Sequence, residues 1–251
     1  MRIGVIGNLT IDIVNGNRKP GGGAYYSGLV LSKFAKVTIY TKIGPEYPKE
    51  WIENIESFTK VVPFEGSSTT TFELLYSGDR REIKVVSKGD KFTYEELETV
   101  SEKEVIINPV ANEIKPKNVY MFERPFLDIQ GFVRQLDRVV TLKRIEGKFL
   151  ENAFVVHASK EEYSMIKNPG TPEILAITDG SKEGVVITKG EKIKFIPKQI
   201  DVKDPTGAGD CFLALLAYSA RRYNLQKAIE FTLDETAKFL KLGLEKYLEE
   251  Q

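Results

Sequence analysis

The sequence predicts an α/β protein built on a mostly parallel central sheet covered by helices on both faces, with residues 1–251 forming a single domain. Three observations predict it. Short apolar runs of strand length recur along the chain, and several of them are separated by segments of helical period. The 251 residues, 41% of them hydrophobic, suffice for one large core and do not demand a second.

Arg2–Ile6 is an apolar run that stops at Gly7-Asn8, the pattern of a buried strand ending in a loop. Val37–Thr41, Val105–Asn108, Asn118–Phe122, Ala153–His157, Ile174–Thr178 and Gly184–Thr188 repeat the pattern, with helix-like spacers at Tyr94–Ser101 and Gln130–Leu136. Two stretches break the rhythm. Ser68–Val86 alternates at period two around Ser77-Gly78-Asp79, which predicts an antiparallel hairpin. Ile11–Gly23 has the same short-strand and turn character. Paired, the two make a small β lid from about residues 10–23 and 66–88, placed to cover a pocket. Leu225–Tyr247 sets Ala228, Phe231, Ala237, Phe239, Leu240 and Leu244 at helical spacing amid Lys and Glu, which predicts a packing helix.

Thirty-six basic residues balance 36 acidic ones, and no basic run stands out, so neither nucleic acid nor an anionic membrane is an expected partner. A single cysteine, Cys211, excludes an internal disulfide framework and fits the reducing cytoplasm. No apolar run approaches the roughly 20 residues of a spanning helix. The expected partner is a small molecule, with the chain a monomer or homodimer.

Asp204-Pro205-Thr206-Gly207-Ala208-Gly209-Asp210 stands directly before an apolar helical stretch. Glycines there let backbone N–H groups converge, and the helix N-terminus adds roughly half a positive charge, so the stretch suits an anion. A carboxylate beside a phosphate cradle needs another task, and taking the proton of an alcohol during phosphoryl transfer is one. A plain helix start with a dipole-favoured Asp is the alternative reading of the same residues.

The stretch resembles the C-terminal signature of the ribokinase-like (pfkB) carbohydrate kinases, Asp-x-x-Gly-Ala-Gly-Asp before an apolar helix. Other family features stand in order: Gly7-Asn8 and Asp12 after the first strand, Gly21-Gly22-Gly23-Ala24 opening a helix, and Thr178, Asp179, Gly180 and Gly184 ahead of the signature. The resemblance spans nearly the whole chain. It implies a three-layer α/β/α sandwich with a β lid, ATP and Mg²⁺ as cofactors, and Asp210 as general base beside an anion hole formed by Gly207, Ala208 and Gly209. By the same resemblance Asp12, Gly22 and Gly23 bind the acceptor, and Thr178, Gly180 and Gly184 lie along the nucleotide. The family's Asn-x-x-Glu becomes Ser159-Lys160-Glu161-Glu162, in which Glu162 fits the metal-side position and Ser159 replaces Asn. An Asn expected after the Gly-Gly motif is replaced in the neighbourhood of Tyr25, Tyr26 and Ser27. Leu127–Arg134, LDIQGFVR, looks like the inositol kinase branch, which favours myo-inositol and gives Arg134 a substrate-side role. The alternatives are a nucleoside kinase and a non-catalytic ligand sensor on the same fold.

Other residues invite plainer readings. The GVIGN stretch lacks the later glycines of a dinucleotide fingerprint. His157, the only histidine, reads as a strand-end packing residue, and Cys211 as a small buried one. Arg124 reads as a surface ion-pair residue, while Tyr25 and Tyr26 divide between core and pocket wall.

Overall fold

Residues 1–77, 80–202 and 204–250 are described by the structure, a computed structural model. Its central sheet has nine strands in the order Lys192–Phe195, Lys182–Ile187, Ile174–Asp179, Val155–Ser159, Phe126–Asp128, Glu104–Ile107, Arg2–Ile6, Lys36–Ile43 and Lys60–Glu65. From Ile174–Asp179 to the Lys60–Glu65 edge every pairing is parallel. The remaining two strands extend the sheet antiparallel.

Strand periodicity sorts the core into two layers. Ile3, Val5, Ile106 and Val155 pack beneath the helices Gly23–Ser32 and Ala208–Ala220, against Leu29, Leu213 and Ala217. Their neighbours Ile6, Val105, Ile107 and Val156 point the other way and meet Leu97, Val119, Phe132 and Leu150. Burial on both faces is why these runs read as continuously apolar, and each such side chain contributes about 1.5–3 kcal/mol. The fold is the three-layer α/β/α sandwich expected.

Several elements differ from expectation. Asn118–Phe122 does not form a strand; Pro116–Met121 is a 3₁₀ helix, started by a proline whose missing N–H costs nothing at a first helical turn. The vacated sheet position belongs to Phe126–Asp128, a strand of only 3 residues. Gln130–Leu136 is helical only to Val133, after which Arg134–Leu136 pairs antiparallel with Val140–Leu142. The C-terminal stretch breaks at Gly243, whose φ of 76° separates Leu225–Leu242 from Leu244–Glu249.

A second sheet of 4 strands stands off the main one, in the order Asn17–Gly21, Thr10–Val14, Thr71–Ser77 and Arg80–Ser87. Thr10–Val14 is antiparallel to Asn17–Gly21 and parallel to Thr71–Ser77, which joins the two stretches that broke the α/β rhythm. Phe72 and Leu74 pack with Val110 and Ala111, flanked by Val14, Ile83 and Val140. The turn expected at Ser77-Gly78-Asp79 lies outside the described residues.

Candidate active site

Parallel strands finish on one side of the central sheet, and the residues at their carboxyl ends are polar: Asn8, Asn108, Asp128, His157 and Thr178. Open α/β sheets bind ligands at this edge. Here it faces a cleft of about 1790 Å³, bounded by the helix Ala208–Ala220 on one side and the small sheet on the other. That volume exceeds the roughly 300–1,000 Å³ of a one-ligand pocket and leaves room for a donor and an acceptor side by side.

Gly207 is the N-cap of the helix at φ 83°, a left-handed conformation, and a Cβ there would lie 2.5 Å from the Tyr26 ring. Only glycine allows both the turn and the ring contact. The N–H of Ala208 is taken by the Pro205 carbonyl at 3.1 Å, whereas those of Gly209 and Asp210 carry no hydrogen bond among the described residues. The cradle is thus offered by the peptide groups of Gly209 and Asp210, with the helix dipole behind them.

Asp210 is half-buried in the first turn, and its Oδ1 accepts from Asn108 Nδ2 at 2.9 Å and Gln130 Nε2 at 2.8 Å. Asn108 Nδ2 also reaches Ser27 Oγ at 2.8 Å, and that hydroxyl donates to the Asp210 carbonyl at 3.1 Å. Gly23 makes this possible, since a Cβ there would sit 2.3 Å from Asn108 Oδ1. Burial raises the Asp210 pKa most, and the charge of Asp128 adds to it. Asn108, Arg134 and Gln130 pull the other way, and the balance stands at about 6. At neutral pH the carboxyl is ionised yet basic enough to accept a proton.

Along one wall of the cleft stand Thr178, Gly180, Ser159 and Glu162. Ser159 and Glu162 form a capping box: Glu162 N donates to Ser159 Oγ at 3.2 Å, and Glu162 Oε2 accepts from Ser159 N at 2.9 Å. Gly184 is a correction, for it does not line the cleft. It lies in an antiparallel strand, and its missing side chain makes room for the Phe195 ring, whose Cζ is 2.3 Å from where a Cβ would stand. Phe195 is the residue that reaches the cleft wall.

Toward the small sheet, Asp12, Gly22 and Arg134 all line the cleft. Thr10 Oγ1 donates to Asp12 Oδ1 at 2.8 Å. Gly22 holds a φ of 100°, and a Cβ on it would meet the Asn8 carbonyl at 2.4 Å. Arg134 Nη1 donates to the Val110 carbonyl at 3.1 Å.

His157 packs against the Phe212 ring as expected, but it also carries polar contacts that the expectation did not include. It is buried, with Nδ1 2.7 Å from Asp128 Oδ2 and Nε2 3.2 Å from Thr178 Oγ1. Asn108, Asp128 and Gln130 are the other site residues for which the sequence suggested no role. The available signal was their position: Asn108 ends a buried strand, and Asp128 and Gln130 belong to LDIQGFVR. Cys211 is buried as expected, and burial pushes its thiol pKa well up. Arg124 pairs with Glu173 on the surface and covers the Phe154 ring. Tyr26 lines the cleft, and Tyr25 packs against the cluster that includes Phe239 and Tyr247.

A three-layer sandwich with helix N–H groups free among the described residues and a half-buried carboxyl at its carboxyl edge has the architecture of the ribokinase-like phosphotransferases. The model of the pfkB family of carbohydrate kinases matches residues 91–233, and the chain belongs to that family. A cytidine kinase from Thermococcus kodakarensis is 27% identical over 94% of this chain and 95% of its own length. Among solved structures, a pyrophosphate-dependent kinase of the ribokinase family, complexed with a pyrophosphate analog and myo-inositol, superposes with a TM-score of 0.79. It is 20% identical, over 95% of this chain and 94% of that one. A sugar kinase from Pyrococcus horikoshii in complex with ATP gives 0.70 at 17% identity, over 97% and 92%. At such identities the likeness carries the fold. Among the described residues, no helix is long and apolar enough to cross a membrane.

Proposed function

We propose that the chain transfers a phosphoryl group from ATP to a hydroxyl of a small cyclic polyol, with myo-inositol the favoured acceptor. The observation that carries the reading is Asp210, a half-buried carboxyl of pKa about 6 set between two N–H groups that carry no hydrogen bond among the described residues and the cleft wall that holds Asp12 and Arg134. Asp12 and Arg134 hold acceptor hydroxyls on the small-sheet side. Asp210 takes the proton as the acceptor O–H bond breaks. The acceptor oxygen bonds to the γ-phosphorus, the bond to the bridging oxygen breaks, and ADP leaves. The N–H groups of Gly209 and Asp210 face the charge that develops on the transferred group. The small sheet acts as a lid that excludes water from this step.

ATP is favoured over a bare phosphate donor because the wall beyond the cradle is apolar: Pro197, Ile200, Leu233, Ala237 and Leu240 line it, a surface that suits a nucleoside. Among the described residues no group of three His, Cys, Asp or Glu side chains converges as a metal site. Mg²⁺ needs no such cage, since it keeps several waters and shares one or two carboxylates with the phosphates. Glu162 on the donor wall fits that role, with its Oε2 held by Ser159, and the ion would neutralise phosphate charge there.

A nucleoside acceptor is the second reading. Phe72, Leu74 and Ile83 of the small sheet, with Val140 beside them, make an apolar surface that a nucleobase would also cover, and the Thermococcus kodakarensis relative is a cytidine kinase. ADP release from ATP and Mg²⁺ against a panel of myo-inositol, hexoses, ribose and nucleosides tests both. Turnover with myo-inositol alone supports the first reading, and turnover with cytidine or another nucleoside replaces it with the second. A folded chain that binds ligands without releasing ADP would overturn the kinase reading.

A further inference from the structure

We infer that His157 is a positioning residue for the phosphate donor: held by Asp128, its ring donates through Nε2 to Thr178 and so turns the Thr178 hydroxyl outward as a donor into the cleft. The inference rests on the kinase reading above in requiring a phosphate on the Thr178 side.

The geometry is a short relay. Asp128 Oδ1 is occupied by the Gln130 N–H at 2.8 Å, which leaves Oδ2 for His157 Nδ1 at 2.7 Å. The far ring nitrogen lies 3.2 Å from Thr178 Oγ1, and Thr178 lines the cleft. The ring also lies directly beneath the cradle, since a Cβ on Gly209 would come within 3.1 Å of its Cε1. A hydroxyl has one proton and two lone pairs. If Nε2 carries a proton, it fills one lone pair of Thr178, and the hydroxyl proton is free for a phosphate oxygen. If Nε2 is bare, it captures that proton, and Thr178 presents lone pairs to an anion. The state of a ring 3% exposed thus decides whether Thr178 attracts or repels the donor.

The surroundings favour the doubly protonated ring more than water does. Burial opposes the charge most strongly, but the charge and hydrogen bond of Asp128 outweigh it, with Glu162 and Asp210 adding to the effect, and the pKa lies above the ordinary histidine value. Those three carboxylates come from the strand beside it, the helix after its own strand and the helix above it; the strand Ile174–Asp179 contributes the neutral Thr178. A group with a raised pKa keeps its proton below that pKa and loses it as pH rises through it.

The test is donor binding by titration calorimetry, with Mg²⁺–ATP and separately with inorganic pyrophosphate, on the wild type, His157→Gln, Thr178→Val and the double variant. ADP release is followed in parallel. Thr178→Val keeps shape and leaves the buried Asp128–His157 pair intact, so it tests the relay even if His157→Gln folds poorly. Each single variant is expected to weaken donor binding about tenfold, the loss of one hydrogen bond to a charged group. The double variant should be no weaker than either single one, because both remove the same contact. Wild-type donor binding should also weaken as the pH rises through the raised His157 pKa, and Thr178→Val should flatten that dependence. Multiplicative losses, or a lowered Tm with unchanged donor affinity, would mean that His157 only supports the core. Absence of any donor binding by the wild type also overturns the inference. Donor binding with the expected pattern but no ADP release would leave the relay standing and sink the kinase reading instead.

Discussion

Replacing Asp210 by Asn should make the protein more stable while stopping its chemistry. Asp210 sits with its pKa raised from 3.8 to about 6 because burial and the nearby Asp128 disfavour its charge. A raised carboxyl pKa means that the unfolded chain gives up its proton more readily than the folded one. Ionisation therefore opposes folding increasingly as the pH rises from the unfolded value to the folded one, by a constant amount above the folded value, and has no effect below the unfolded one. A rise of about two pH units corresponds to roughly 3 kcal/mol of destabilisation at neutral pH, an upper figure for a half-buried group that solvent partly screens. Asparagine keeps an oxygen that can accept from Asn108 and Gln130 and carries no charge. In a chain of this size, about 2–4 °C per kcal/mol translates the gain into a Tm rise of up to about 10 °C. The assay is thermal unfolding of both proteins from about pH 4 to pH 8. The Tm gap should be near zero at the acid end, open between about pH 4 and about pH 6, and stay level above that. The same variant should lose about 10²–10⁴ in kcat, the usual loss on removing a positioned base. A lower Tm at neutral pH, or a gap independent of pH, would refute the electrostatic reasoning, and near-full activity would remove Asp210 from the base role.

In the wild type, kcat should fall about tenfold per pH unit below about pH 6, as Asp210 takes up its proton, and a pH–rate profile with a flat acid limb would contradict that assignment. Gly207→Ala places a Cβ 2.5 Å from the Tyr26 ring at a φ of 83°, so it should cost on the order of 1–3 kcal/mol of stability and weaken donor binding; chemical denaturation and calorimetry read the two effects. Ser159→Ala removes one half of the capping box and should cost about 1 kcal/mol in denaturant unfolding. Cys211 is buried with its pKa pushed up, so iodoacetamide should leave the folded chain unlabelled and label it in denaturant.

The layered fold was legible because strands buried on both faces write themselves as apolar runs, and Arg2–Ile6, Val105–Asn108 and Ala153–His157 each announced a strand of the parallel sheet. The edge strands were not legible. Lys60–Glu65 and Lys192–Phe195 alternate buried with exposed or half-buried positions and carry charges at their ends, so they lack the signal of the central strands. Phe126–Asp128 was obscured by brevity: a strand of 3 residues can hold its place only because neighbours on both sides supply the hydrogen bonds. Asn118–Phe122 was misread for a related reason, since apolar content alone does not distinguish a buried strand from a buried 3₁₀ turn.

The site divides along the same line. Gly207, Gly209 and Asp210 are contiguous, and the physics of a helix N-terminus acts over one turn, so a short motif exposed them. Asp210 acquires its basicity from elsewhere: Asn108 and Gln130 are 102 and 80 residues away in sequence, and Asp128 comes from a different strand. Sheet topology brings those side chains together by ending parallel strands on one edge, which no local pattern encodes. His157 shows the point most sharply. As an isolated histidine at the end of an apolar run it reads as packing, and only the register that pairs Val155–Ser159 with both Phe126–Asp128 and Ile174–Asp179 puts an acid on one side of the ring and a hydroxyl on the other. The cradle is thus a local property of the sequence, whereas the protonation of the groups around it is a property of the fold. Substitutions at Asn108, Gln130 or Asp128 should therefore shift the acid limb of the pH–rate profile rather than abolish the phosphate site, and a profile unmoved by Gln130→Ala would show that the carboxyl keeps its pKa without them.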